Sequence, residues 1–285
     1  MSWRLPAFCA SLVLMGGIAA TVWWATVPAV SPPEELTELP TPPFPPRIAE
    51  GSAYETCLAT LADDPTGAVA LAETWEADGG GDGAVHCRGL ALIALGQPAA
   101  GAEILEQLSA HSQAPPMARA SVLGQAVQAR LMAAQETIAP AAPAQADLAD
   151  ADASLALTLS PADIELLMMR ATAKGMQGRF SDAVDDVGAA LRLDAARPDA
   201  LVLRAVMRRK LNQLDLAQTD VSQALALDPD DADAFLERGI LRQRMGDVTG
   251  ARADWEHARG VDPSSTTADL AQQDLSLLEA GPERH

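Results

Sequence analysis

The sequence predicts an all-α solenoid of helix-turn-helix hairpins, preceded by an apolar N-terminal segment and a proline-rich linker. Three observations predict it. Ala and Leu are abundant, while aromatic residues make up only 4% of the 285 residues, which favours helices over an aromatic-packed β-sandwich. From Ser52 onward the pattern is helical, punctuated by Gly79-Gly80-Gly81, Pro115-Pro116 and Pro140-Ala141-Ala142-Pro143. The C-terminal half aligns on itself with a period of 34 residues.

Residues 1–27 read as a membrane anchor or a signal segment. Ala7–Val27 is an uncharged apolar run of 21 residues, which at a rise of ~1.5 Å per residue reaches roughly 30 Å, the thickness of bilayer hydrocarbon. Trp23 and Trp24 stand near its far end, where amphipathic rings prefer the interface. A cleaved signal peptide is the alternative, with small residues at Val27-Pro28-Ala29 and Ile18-Ala19-Ala20, although the apolar core is longer than a signal normally carries. Cys9 precedes the apolar core and follows Phe8, so it does not fit a lipoprotein cysteine. Arg4 lies before the run, and Glu34, Glu35 and Glu38 follow it. The positive-inside rule then places the N-terminus in the cytoplasm and the body outside, in the periplasm if the cell is bacterial. The expected location is the inner membrane with a single pass, or the periplasm after cleavage.

Residues 28–49 form the linker. Pro28, Pro32, Pro33, Pro40, Pro42, Pro43, Pro45 and Pro46 exclude helix and sheet, and at ~3.1 Å per residue an extended polyproline segment of this length spans up to roughly 65 Å.

Residues 50–163 read as degenerate helical repeats. Residues 52–77 form a short helical pair split at Asp63-Asp64-Pro65, residues 82–115 a fuller unit, and residues 117–158 a stretched one. In the last, a long helix runs to about Ile138, and a second runs over Asp147–Leu159 after a proline-broken insertion. Residues 164–265 hold three 34-residue units, 164–197, 198–231 and 232–265. Small residues recur at unit position 8 (Ala171, Ala205, Gly239), position 20 (Ala183, Ala217, Ala251) and position 27 (Ala190, Ala224, Ala258), with a larger one at position 24 (Val187, Val221, Trp255). Antiparallel helices need small residues where their backbones approach, and a single hairpin cannot bury its apolar face alone, so neighbours stack. Residues 266–285 form a capping helix, Thr267–Glu279, and a tail; the polar Gln272, Gln273 and Asp274 face outward. The whole amounts to about five hairpins and a cap.

This period, with Arg238-Gly239, Gly246-Asp247, Ala251 and Asp262-Pro263 standing nearly at its consensus, resembles the tetratricopeptide-repeat (TPR) family over 164–263. The resemblance implies a right-handed superhelix and a role as a protein–protein adaptor. It also implies that a chaperone-tail carboxylate clamp is missing from these units, since positions 5 and 9 carry Met168, Val202, Leu236 and Thr172, Val206, Ile240 in place of Lys and Asn.

Charge excludes other classes. With 20 Lys+Arg against 39 Asp+Glu the formal charge is −19, which disfavours nucleic-acid binding. No catalytic residues are predicted: the histidines are scattered, His86-Cys87 lacks a second ligand pair at zinc spacing, and no Lys-Ser or Lys-Thr follows Gly79-Gly80-Gly81-Asp82-Gly83. No metal or cofactor is expected. The sequence supports a membrane-tethered scaffold that binds a protein or peptide partner in its concave groove, without enzymatic activity. The alternatives are an accessory subunit of an envelope-maturation or cofactor-assembly enzyme and a secreted periplasmic binding protein.

Three sets of side chains follow. In an oxidising compartment Cys57 and Cys87 are a disulfide pair or two buried thiols. Arg170, Arg204 and Arg238 at position 7 pair with Asp186, Asp220 and Asp254 at position 23, within the unit or with its neighbour. The groove is expected to expose Met168, Thr172, Met176, Val202, Val206, Leu236, Ile240 and Gln243, with Arg209, Lys210 and Arg244 at positions 12 and 13 and Arg208 and Arg242 beside them. Those cations either attract an acidic segment or neutralise nearby carboxylates.

Overall fold

The structure, a computed structural model, describes residues 47–136 and 142–280. The apolar run 7–27 and nearly all of the linker lie outside these residues. No helix among the described residues is long and apolar enough to cross a membrane.

The described residues form thirteen α-helices and no strand. Six hairpins, α1 (Ser52–Asp63) with α2 (Pro65–Ala77), α3 (Gly81–Ala94) with α4 (Pro98–His111), α5 (Pro116–Glu136) with α6 (Ala142–Leu159), α7 (Ile164–Met176) with α8 (Phe180–Leu193), α9 (Pro198–Lys210) with α10 (Leu214–Leu227) and α11 (Ala232–Met245) with α12 (Val248–Val261), are followed by α13 (Thr266–Ala280). Each helix packs on the next in sequence, and first helices also meet across hairpins (α1 with α3, α5 with α7, α7 with α9, α9 with α11), as α11 does with α13, so the hairpins stack as a solenoid. The stretch 50–163 holds three complete hairpins, one more in total than the sequence count. Its third departs from expectation at the insertion: α6 starts at Ala142 rather than Asp147, because Pro143 sits in the first helical turn, where its missing N–H has no intrahelical partner to lose.

Local chemistry sets the helix ends. Asp163, Asp231 and Asp247 accept from the backbone N–H of Leu166, Ala234 and Gly250 at 3.2, 2.9 and 2.9 Å, capping α7, α11 and α12. The turn inside each of the last three hairpins uses a left-handed residue at unit position 15: Gly178 (φ 77°), Asn212 (φ 59°) and Gly246 (φ 92°). Asn212 is the one non-glycine residue with positive φ among the described residues, and Asn is among the few side chains that tolerate it.

The small positions meet as the spacing requires. Ala171, Ala205, Ala183, Ala217, Ala251, Ala190, Ala224 and Ala258 have no exposed surface, nor do Val187, Val221 and Trp255. In the third unit the indole of Trp255 takes the space of a side chain at position 8: a Cβ on Gly239 would stand 2.4 Å from Trp255 Nε1.

At the N-terminal end the body begins before the expected boundary at residue 50. Ile48 is 8% exposed and Ala49 packs on the same core as Tyr54, Leu105 and Val122. Arg47 lies over the Tyr54 ring, 5.0 Å from its centroid, and pairs with Glu55. Cys57 on α1 and Cys87 on α3 are bonded, both fully buried, with Ala72 and Trp75 around them.

Candidate functional site

The Arg–Asp pairs lie within each unit, between its two helices. Arg170 donates through Nε and Nη2 to Asp186 at 2.8 and 2.6 Å, Arg204 to Asp220 at 3.0 and 2.6 Å, and Arg238 to Asp254 at 3.0 and 2.7 Å. Such two-pronged contacts fix the fork against the carboxylate plane. Each Asp also accepts from a second cation four residues along the first helix. Lys174 Nζ reaches Asp186 at 2.6 Å, Arg208 Nη1 reaches Asp220 at 2.6 Å and Arg242 Nη1 reaches Asp254 at 2.7 Å. Positions 7 and 11 share one helix face, so two cations converge on one buried carboxylate. Arg208 and Arg242, which the sequence sets beside the groove cations, point instead into the hairpin.

The groove cations are largely engaged as well. Arg209 Nε donates to Glu237 Oε1 at 2.6 Å, joining α9 to α11. Arg244 donates to the Arg209 carbonyl at 3.1 Å and to Asn212 Oδ1 at 3.2 Å. Lys210 is exposed and makes no ion pair among the described residues. A row of free cations edging the groove is therefore not what α9 and α11 present.

What they present is a cavity of about 330 Å³ lined by Val202, Leu203, Val206 and Leu236, with Asp199, Asp231, Asp233 and Glu237. Three of the groove candidates, Val202, Val206 and Leu236, meet here. Ile240 turns to the cluster around Trp255 and Leu275, and Met168 packs into the clusters beside α8. Thr172 returns its hydroxyl to the Met168 carbonyl at 3.0 Å, and Met176 and Gln243 are exposed. Every charged residue lining the cavity is acidic. Asp199 is held by Arg197, which also reaches Glu165. Asp231 and Asp233 have no cationic partner among the described residues. Burial pushes the Asp231 carboxyl up from its ordinary range, and the neighbouring Asp233 and Asp228 add to the shift against the pull of the Ala234 N–H. Glu237 is 3% exposed, and burial likewise raises it, opposed by Arg209, Lys210 and Arg244. The four acids escape a sequence reading because Met169 and Leu203 occupy the position of Glu237 in the other units, and Asp231 and Asp233 pass for ordinary capping residues.

A second polar assembly lies between α1, α3 and α5. Tyr54 Oη stands 2.6 Å from His86 Nδ1, and His86 Nε2 stands 2.7 Å from Gln125 Oε1. Oε1 only accepts, so Nε2 carries the proton and Nδ1 accepts from the Tyr54 hydroxyl. Burial holds the His86 pKa below its ordinary value, with the Gln125 bond opposing. His86 is thus a neutral link in a buried chain.

No protein-family model matches the chain, and no curated protein matches it. Among solved structures, a thermophilic TPR protein of Thermus thermophilus superposes with a TM-score of 0.52 at 18% identity, covering 70% of this chain and 99% of that one. MamA from Desulfovibrio magneticus RS-1, from residue 41 onward, superposes with a TM-score of 0.50 at 14% identity, covering 76% of this chain and 99% of that one. Both are likenesses of fold.

Proposed function

We propose that this chain, which has the tetratricopeptide-repeat fold, is an interaction scaffold that receives a segment of a partner protein between α9 and α11. The observation that carries the reading is the cavity itself, whose floor of Val202, Leu203, Val206 and Leu236 is apolar yet open between two adjacent first helices. Apolar surface left open between two adjacent helices is surface a partner can cover. The apolar run 7–27 and the prolines after it support a tethered body outside the cytoplasm, held away from the bilayer.

A photo-reactive phenylalanine analogue placed in turn at Val206, Leu236 and the exposed Thr219 of α10 tests the reading in cells. A partner cross-linked from Val206 and Leu236 but not from Thr219 is expected. Equal capture from all three positions, or none from the first two, refutes binding in this groove. Alkaline carbonate extraction tests the tether: the full chain should stay with membranes and a chain lacking residues 1–27 should not.

A further inference from the structure

We infer that the groove between α9 and α11 takes a basic side chain: the partner segment carries a Lys or Arg flanked by aliphatic residues. The inference rests on the scaffold reading and adds the chemistry of its partner. The charged groups lining the cavity are Asp199, Asp231, Asp233 and Glu237, and no cation lines it. Asp231 and Asp233 have no cationic partner among the described residues. Helix-end chemistry accounts for Asp231 as a cap, but not for the burial of Glu237 further along α11.

Glu237 is the second, independent observation. Its Oε1 accepts from Arg209, and among the described residues no donor reaches Oε2. The Glu237 side chain is 4% exposed and lines the cavity. The cavity floor is apolar. A Lys or Arg side chain matches both features, with its methylene stem over Val202, Val206 and Leu236 and its charged head among the three carboxylates of α11 and its cap. An acidic segment would meet unneutralised like charge at Asp231 and Asp233 and would gain nothing from Arg209, already engaged by Glu237.

Methyl-labelled full-length protein in detergent tests this by NMR with three probe peptides that differ at one side chain: acetyl-Leu-Lys-Leu-amide, acetyl-Leu-norleucine-Leu-amide and acetyl-Leu-Glu-Leu-amide. The Lys peptide should move the Val202, Val206 and Leu236 methyl signals with an affinity roughly tenfold above the norleucine peptide, a preference that shrinks toward unity in 1 M salt. In Asp231→Asn with Asp233→Asn, where Asn keeps the cap of α11, the preference should disappear and norleucine binding should persist. Equal binding of the Lys and norleucine peptides to the unaltered chain overturns the basic-residue inference and leaves the apolar groove standing. Tightest binding of the Glu peptide overturns it in favour of the cations. If none of the three moves these signals, the groove reading fails with it.

Discussion

Asp220→Ala removes the carboxylate on which Arg204 and Arg208 converge. The Asp220 side chain is 2% exposed, while those of the two arginines keep 19% and 18% of their surface. Stripping one partner from a fully buried ion pair costs about 3–5 kcal/mol, because the other charge is stranded. Here two charges are stranded, but both reach some water, and Arg208 already keeps its Nε sealed without a partner. The loss should therefore be about 2–4 kcal/mol, set against at most ~1 kcal/mol for Asp215→Ala, an exposed first-turn residue of the same helix that loses only its favourable place near the helix dipole. Urea unfolding followed by far-UV circular dichroism, with hydrogen exchange to locate the weakened hairpin, measures the difference. Replacing the whole set, Arg204→Met, Arg208→Met and Asp220→Leu, should recover most of the loss, since an apolar trio of similar volume needs no desolvation of charge. If Asp220→Ala and Asp215→Ala unfold within about 0.5 kcal/mol of each other, a threshold at the scale of a surface substitution, the reasoning about convergent cations is wrong.

Three further outcomes follow from the packing. Gly239→Ala should destabilise by about 1–3 kcal/mol through overlap with the indole, and Trp255→Val alone should cost more because it empties a buried site; since Ala with Val is the combination at Ala171/Val187 and Ala205/Val221, the double variant should lose clearly less than the sum of the two, and additive losses would refute the pairing of these positions. Cys57→Ser with Cys87→Ser should cost on the order of 3–4 kcal/mol for a loop with a sequence separation of 30, with hydrogen exchange rising first in α1 and α2; unchanged protection there would count against the staple. For His86 the folded pKa is depressed, so its contribution is whole above the unfolded value of about 6.5 and is lost as pH falls through the folded pKa; protection of α1, α3 and α5 amides should fall as the pH is taken below about 6.5 and the drop should vanish in His86→Asn. A drop of the same size in that variant assigns the effect to other groups.

The sequence disclosed the repeat and its ion pairs because both depend on fixed offsets: small residues 34 apart, and Arg and Asp 16 apart. The same arithmetic places Lys174, Arg208 and Arg242 at one position, yet their direction depends on which face of the first helix meets the second, and position 11 follows position 7 onto that face by one helical turn. The site was less legible. Val202, Val206 and Leu236 could be read from the repeat, whereas Glu237 occupies a position that is Met169 and Leu203 elsewhere, and only the packing of α9 on α11 buries it. The early start of α6 was hidden by prolines that read as a break, when one of them suits a first helical turn. His86 carried no spacing signal, since its partners Tyr54 and Gln125 come from helices on either side of its own.

The cysteine bond acquires a different meaning when the chain is pulled rather than warmed. Tension applied ahead of Arg47 enters the body at Ile48 and loads α1 first, a helix of 12 residues whose N-cap, Gly51, offers no side chain. Without a cross-link, α1 and then α2 would peel away as the outermost layer of the stack. The covalent path from Cys57 to Cys87 carries the load past the rest of this hairpin and delivers it to α3, seated between α2 and α4. Force then acts on a helix packed on both sides, where many contacts must shear together. A body built this way resists unravelling from its N-terminal end when that end is pulled.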